Sequence, residues 1–174
     1  MTFVVGLTGG AASGKSTAGA LFQALGAALI DADAVSHALT GRDGKALGAI
    51  EKAFGQDFIS DGALNRPRMR ELVFHDKAAR SELEAILHPL IARELKKAVL
   101  SSRGPYVVLE AALLMEKDSW RTLANRLLVV DVPECVQIER MMRLRNLPEA
   151  TARAIVACQC SRETRLAVAD DVLV

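Results

Sequence analysis

The stretch "GLTGGAASGKST", residues 6 to 17, is almost without side chains and is set between two segments of opposite periodicity. Before it, Phe3, Val4 and Val5 form an apolar run that reads as a strand. After it, Ala18, Leu21, Phe22 and Leu25 recur at i, i+3, i+4 and i+7, the spacing of a helix with one apolar face. Within the loop Gly9, Gly14, Lys15 and Ser16 satisfy the pattern G-x-x-x-x-G-K-[ST]. Small residues let successive backbone N–H groups converge on an anion, and the helix starting near Lys15 points the positive end of its dipole at the same place. Lys15 then reaches the outer phosphates of a nucleoside triphosphate, and Ser16 offers its hydroxyl to a magnesium ion. A glycine-rich turn that matched by chance would have no reason to carry this strand before it and this helix after it.

The remaining pattern alternates in the same way. Gly26 ends the first helix, and "AALIDAD" gives a short strand through Leu29 and Ile30, followed at once by Asp31 and Asp33. From about residue 33 to 103 the pattern is almost wholly helical. Leu47, Ile50 and Phe54 form one apolar stripe, Leu83, Ile86 and Leu87 another, and Leu90, Ile91 and Leu95 a third, with breaks at Gly41, Gly55, Gly62, Pro67 and Pro89. "PYVVLEAALLME" supplies a buried strand at Tyr106 to Leu109, and "RLLVVDVP" another at Leu127 to Val132. Pro133 suits the first turn of a helix carrying Val136, Arg140, Met141 and Arg143. A second helix is expected from about Pro148 to Leu166, and "DDVLV" reads as a last strand. This order predicts an α/β fold, a parallel sheet with helices on both faces, interrupted by a helical insert. In such sheets ligands bind beyond the carboxyl ends of the strands.

With 174 residues, 51% of them hydrophobic, the chain is long enough for one well-buried domain. A formal net charge of +1, from 22 basic and 21 acidic residues spread along the chain, provides no broad electrostatic footprint for nucleic acid or an anionic membrane. No apolar run has the length of a membrane span and no charged leader precedes the first strand, so a cytoplasmic location is expected. Cys135, Cys158 and Cys160 are odd in number, and a lone C-x-C lacks a second ligand pair, which favours reduced thiols over a zinc site.

Several side chains have two readings. Asp31 and Asp33, at i, i+2 beyond a strand, can face one cleft and act as a base toward an acceptor hydroxyl; alternatively Asp33 caps a helix from Ala34 to Leu39. Glu110 ends a hydrophobic strand, where a carboxylate holds magnesium through water or is a solvated strand-end charge. Arg140 and Arg143, at i, i+3, share a helix face with Arg145 just beyond; they either fold over transferred phosphate or balance Glu134 and Glu139 at the surface. His88, before Pro89, is either an acceptor-cleft residue or a core or capping histidine. Arg66 and Arg70, at i, i+4, meet an anionic acceptor or form a solvated helix face. Met141, Met142 and Trp120 read as packing residues.

Taken together, these segments resemble the dephospho-CoA kinase family. "GLTGGAASGKST" is similar to its phosphate loop, "LIDAD" to its acceptor aspartate motif, and "LNRPRMRELVF" and "LHPLI" to its acceptor-domain motifs. "ALLME" resembles its Pro-Leu-Leu-hydrophobic-Glu segment, and "QIERMMRLRNLP" with "CQCSRETRLAVADDVLV" its lid and final strand. The phosphate loop alone defines a superfamily; "LIDAD", "LHPLI" and "AVADDV" in this order are specific. The resemblance implies a P-loop NTP hydrolase fold, a single kinase domain over residues 1–174 with a helical acceptor-binding region at about 34–103 and a helical lid at about 134–166. It implies transfer of the γ-phosphoryl group of ATP, with Mg2+, to the ribose 3′-hydroxyl of dephospho-CoA. ATP and dephospho-CoA are then its small-molecule partners, with no nucleic acid or membrane. By resemblance Ala12, Ser13, Gly14, Lys15, Ser16 and Thr17 surround the nucleotide, with Ser16 on the metal. Asp33 is the base, Lys15 and Arg140 stabilise the transferring group, and Thr8, Asp33, Arg66 and His88 meet the acceptor.

The chain departs from the family pattern in four places. Ala12 stands where the family usually has glycine, so a left-handed backbone angle there would be strained. Ala112 replaces the proline of the Pro-Leu-Leu segment. Leu144 replaces a second lid arginine, leaving Arg143 or Arg145 to substitute. Relatives also continue beyond the position of Val174 into an Asn-x-Gly turn near the adenine and a final helix. Either that segment lies outside this sequence or the purine pocket is incomplete. The nearest alternative is a P-loop kinase acting on a nucleoside monophosphate or sugar acid. A non-enzymatic nucleotide switch would need a guanine-reading N-K-x-D motif, which the sequence lacks.

Overall fold

The computed structural model describes residues 2–111 and 121–174. The expectations for Ala112, Trp120 and the "ALLME" segment concern residues 112–120, or most of them, and lie outside the described residues. The chain forms two compact units, one of residues Met1–Asp31 and Ala98–Val174, the other of Ala32–Lys97. Among the described residues no helix is long and apolar enough to cross a membrane.

The first unit is built on a five-stranded sheet whose pairings are all parallel: β1 (Val4–Gly9), β2 (Ala28–Asp31), β5 (Val107–Glu110), β6 (Arg126–Val130) and β7 (Asp171–Leu173). Their spatial order is β2-β5-β1-β6-β7. Helices surround the sheet, and strands covered on both faces become continuous apolar runs: all four residues of β5 are buried, as are five of the six in β1. β1 lies between β5 and β6, so the chain moves to one side of it for β2 and β5 and then to the other for β6 and β7. Such a reversal opens a crevice beyond the strand ends. Register fixes what lines it: Leu7 is level with Glu110, Glu110 with Asp31, and Gly9 with Val130. At the opposite end of the sheet, side chains extend the ladder. Asn125 Oδ1 accepts from the Val4 amide at 2.8 Å and Asp170 Oδ2 from the Leu127 amide at 2.7 Å.

The helix after the loop, α1 (Lys15–Ala24), buries Ala18 and Gly19, and its Ala18 joins Leu7, Val108 and Val130 in the core, with Phe22, Leu29 and Tyr106 packed beside them. Gly26, at φ +96°, ends this helix as expected. Gly9 permits a close approach of chains: a Cβ there would stand 2.5 Å from the Val130 carbonyl oxygen and 2.7 Å from Ser13 Oγ.

The second unit contains α2 (Ala32–Thr40), α3 (Leu47–Phe54), α4 (Arg66–His75) and most of α5 (Lys77–Ser101), with Leu39, Ile50, Met69, Ile91 and Leu95 buried. It adds a short hairpin to the almost wholly helical insert that the pattern predicts. Ile59–Ser60 (β3) and Ala63–Leu64 (β4) pair antiparallel across Asp61 and Gly62, at φ +51° and +74°. An Asp-Gly pair with two left-handed residues is a tight hairpin turn, so the break read at Gly62 is the second residue of that turn. The break expected at Pro67 is a helix start: Asn65 accepts from the Arg68 amide at 3.2 Å and Pro67 falls in the first turn. At Pro89 no break occurs. α5 continues through it, its packed face compensating for the one hydrogen bond a proline cannot donate, and His88 remains in helix.

In the first unit α6 (Glu134–Arg145) follows Pro133 as expected, with Met141 buried; Met142 is 40% exposed and does not share its packing role. The single helix expected from Pro148 to Leu166 is two, α7 (Glu149–Ala157) and α8 (Arg162–Ala167). Ser161 divides them, its hydroxyl accepting from the Thr164 amide at 3.1 Å as the cap of α8.

Gly9→Ala tests the close approach of β1 to β6. Neither the Val130 carbonyl nor the strand carrying it can move without opening the ladder, and overpacking of this kind costs about 1–3 kcal/mol. The variant should melt several degrees below the parent in a thermal scan followed by circular dichroism. An unchanged melting temperature would show that the sheet accommodates the methyl group.

Candidate active site

The phosphate loop leaves the central strand at Gly9 and closes a turn in which the Ser13 amide donates to Gly10 O at 3.2 Å. Ala12 sits in this turn at φ +55°, the left-handed angle anticipated from its place in the sequence, at a cost of about 1–2 kcal/mol for a residue with a Cβ. Gly14, at φ +107°, precedes α1, whose N-terminus has no side-chain cap. The first amides of that helix are therefore donors available to an anion.

Three side chains converge on this backbone. Lys15 Nζ donates to the carbonyls of Gly9 at 3.2 Å and Gly10 at 3.4 Å. Ser16 Oγ donates to Glu110 Oε1 at 2.8 Å, joining the first turn of α1 to the end of β5. Glu110 is only 8% exposed, and a Cβ on Gly19 would lie 3.0 Å from its other oxygen, so the small residue gives the carboxylate its space. From α6, Arg140 Nη1 donates to the carbonyls of Ala12 at 3.2 Å and Ser13 at 3.0 Å. A cleft of about 540 Å³ opens beside residues 12–18, with Arg140 and Arg145 on one side and Leu21, Leu144 and Val174 adding apolar surface. Of the two arginines left as substitutes for the usual second lid arginine, Arg145 lines this cleft and Arg143 does not.

Beneath and beside the loop lie residues that the sequence did not single out. Gln137 is buried, donates from Nε2 to the Val132 carbonyl at 3.2 Å, and fills the space next to Gly10, where a Cβ would stand 2.5 Å from its Oε1. Gln159 Oε1 accepts from the Ala11 amide at 2.8 Å. Asp131, just beyond β6, takes a two-pronged contact from Arg162: Nε to Oδ1 at 2.8 Å and Nη2 to Oδ2 at 2.6 Å. Arg165, also buried, donates to the Cys160 carbonyl. The hydrogen bonds from Arg162 hold the Asp131 carboxyl below its usual range against the opposing effect of burial, with the charges of Arg162 and Arg165 adding to the shift. The available signal was that Asp131 follows a buried strand as Glu110 ends one; nothing in the sequence marks Gln159 or Arg162 as its partners.

The expected site residues divide between the two units. Residues 12–17, Glu110 and Arg140 gather at the loop. Thr8 is fully buried in β1 and its hydroxyl has no hydrogen-bond partner among the described residues. Asp33, Arg66 and His88 belong to the second unit. Asp33 is exposed and lies within the first turn of α2, which starts at Ala32, so it is not the cap of a helix beginning at Ala34. Arg66 is engaged at once by His37 and Thr40: Nη1 meets the His37 ring, and Nη2 donates to the His37 carbonyl at 3.3 Å and to Thr40 Oγ1 at 3.0 Å. His88 is half-buried within α5. All three cysteines are free thiols, and no group of metal-ligating side chains occurs among the described residues.

A parallel sheet whose central strand runs into a phosphate loop and then a helix is the fold of the P-loop kinases. The Campylobacter jejuni dephospho-CoA kinase structure shares it, with a TM-score of 0.62 at 23% identity over 97% of this chain and 86% of that one. The Thermus thermophilus protein TT1252 superposes with a TM-score of 0.87 at 30% identity, covering 99% of this chain and 87% of that one. The family model described as dephospho-CoA kinase matches residues 3–174. Proteins named dephospho-CoA kinase are 51% identical in Aromatoleum aromaticum, over 98% of this chain and 84% of the relative, and 47% identical in Burkholderia lata, over 99% and 86%. The chain belongs to the dephospho-CoA kinase family, whose members are ATP-dependent phosphotransferases.

The Asp131 contact yields a pH dependence. A carboxyl whose pKa is lowered by folding contributes stability in full above its unfolded value of about 3.9, and that contribution fades as pH falls through the lower folded value. Asp131→Asn should therefore melt below the parent at pH 7, and the gap should narrow as pH drops below about 4. A gap that stays constant down to pH 3 would show that the pair contributes through packing and not through charge.

Proposed function

We propose that this chain transfers the γ-phosphoryl group of ATP to the ribose 3′-hydroxyl of dephospho-CoA, yielding coenzyme A and ADP. The observation that carries the reading is the convergence of Lys15, Arg140 and the Ser16–Glu110 pair on one phosphate loop, in a chain that belongs to this family. Residues 12–17 would cradle the phosphates with backbone donors, and Lys15 would exchange its loop carbonyls for the outer phosphate oxygens. Arg140 already stands over the same loop and would turn from two carbonyls to the more negative phosphoryl oxygens, where charge is stabilised during transfer. The exposed apolar faces of Leu21 and Leu144 suit the flat face of a nucleobase.

The donor set fits magnesium. A hydroxyl and a buried carboxylate are hard oxygen ligands, and their 2.8 Å contact places both where one cation could use them. Ser16 would hold the ion directly and Glu110 through water, and when bound the ion would neutralise charge on the phosphates. The acceptor oxygen forms the new P–O bond as the bond between the γ-phosphorus and its bridging oxygen breaks, and the hydroxyl proton passes to Asp33. The exposure of Asp33 and its place in the first turn of α2, just beyond the carboxyl end of β2, support this role. Arg66, held by His37 and Thr40, and His88 are assigned to acceptor binding. The proposed setting is the cytoplasm, with small molecules as substrates.

ADP release stimulated by dephospho-CoA, and not by nucleoside monophosphates or sugar acids, is the direct test. Lys15→Ala should abolish most of this turnover while melting like the parent, since the side chain supports no core packing. Asp33→Asn separates base from structure. The amide forfeits at most about 1 kcal/mol of helix-dipole interaction but cannot accept a proton. Turnover should fall by about 10²–10⁴-fold, with ATP affinity and melting temperature near those of the parent. Turnover unchanged in Asp33→Asn would remove it from the chemistry.

A further inference from the structure

The phosphate loop contains a residue whose backbone is at odds with its side chain. Ala12 holds φ +55° in a turn closed by a single hydrogen bond, from the Ser13 amide to Gly10 O. A loop of this kind has alternatives close in energy, yet its use depends on one arrangement of amides. The bonds that hold the peptide groups of this turn from outside come from far along the chain, and the Ala11 N–H belongs to the same Gly10–Ala11 peptide whose carbonyl closes the turn. Arg140 takes the carbonyls of Ala12 and Ser13, and Gln159 takes the Ala11 amide. These two ties differ in a way that matters. Arg140 is a cation over an anion site, so under the function proposed above its guanidinium turns to phosphate when nucleotide arrives. Gln159 is uncharged, engages a donor rather than an acceptor, and has no reason to let go.

Gln159 is itself anchored. It follows α7, its amide donates to the Val156 carbonyl at 3.1 Å, and three residues later Arg162 grips Asp131 beyond β6 with both prongs. The side-chain oxygen is thus presented from a segment fixed to the same sheet from which the loop departs. We propose that Gln159 is a positioning residue for the phosphate loop, holding the Gly10–Ala11 peptide, whose carbonyl accepts from Ser13, so that the left-handed turn at Ala12 persists with and without nucleotide. The inference rests on the proposed nucleotide site but concerns the shape of the loop, not the reaction.

Gln159→Met keeps the length of the side chain and removes the acceptor oxygen, so calorimetric titration with ADP alone, without any acceptor, is the test. Loss of one well-made hydrogen bond that shapes the site should weaken ADP binding by about tenfold. The same substitution made on an Ala12→Gly background should weaken it by no more than about twofold, because glycine adopts the turn without strain and needs the tie less. Parent-like ADP affinity in Gln159→Met overturns the proposal, as does an equal penalty in both backgrounds, which would mark a contact with no bearing on Ala12. A parent protein that binds no ADP would overturn the nucleotide site itself and this inference with it. Should Gln159→Met prove too unstable to titrate, hydrogen exchange at the Ala11 amide of the parent decides. Protection in both the free and ADP-bound protein supports the tie, and exchange as fast as in an unstructured peptide in the free protein overturns it.

Discussion

The parallel register of β1 against β5 and β6 is the constraint on which the first unit depends. Because Leu7 is level with Glu110 and Gly9 with Val130, three chain segments end at one edge and deliver a backbone loop, a carboxylate and Asp131 to the same crevice. A shift of one residue in the β1–β5 pairing would separate Ser16 from Glu110, and a shift in either pairing would face a strand's buried side chains the other way. The absence of a side chain at Gly9 follows from this register, and that at Gly10 from the Gln137 side chain of α6. Both positions lie where neighbouring chain occupies the space that a Cβ would need.

The loop itself is an arrangement of donors maintained by acceptors and cations that do not belong to it. Buried carboxylates are costly unless hydrogen-bonded, and here Glu110 receives Ser16 while Asp131 receives Arg162. The two contacts serve different ends. The first leaves a hydroxyl and a carboxylate together at the phosphate edge. The second fixes the chain between α7 and α8 to the sheet, from which Gln159 reaches back to the loop. The helices after β6 therefore act on the nucleotide site through hydrogen bonds to its backbone, before any cationic side chain contacts phosphate.

Local chemistry made much of this readable from the sequence. The phosphate loop and the strands around it follow from patterns a few residues long, because close backbone approach, helix periodicity and strand alternation are local demands, whereas spacing alone left Arg140 between a phosphate contact and a surface charge. The left-handed angle at Ala12 was expected only through the resemblance, since the family usually carries glycine at that place. What escaped was set by partners distant in sequence or by tertiary override. Nothing near Gln159 announces that it faces Ala11, 148 residues away, and Asp131 and Arg162 carry ordinary charges until the fold joins them. Pro89 reads as a break, yet a helix packed along its length tolerates the loss of one donor. The Asp61-Gly62 turn was a missed local signal. Its strands are two residues each, too short for an alternating pattern to register against the surrounding helices. Asp33 was placed correctly beyond β2, but its helix begins two residues earlier than expected, at Ala32, so Asp33 lies within it and not before it.

Gly10 and Gln137 divide a single volume between them, the amide side chain occupying the place that a Cβ at position 10 would fill. In mutational terms the two positions are epistatic. A methyl group at residue 10 requires the end of the Gln137 side chain to swing aside, giving up its bond to the Val132 carbonyl, or residue 137 to be smaller, and a smaller residue 137 alone leaves a cavity under the loop. A step at position 10 therefore disturbs the anchor of Gln137 before it disturbs the loop, which couples the two positions across the sequence although neither bonds the other.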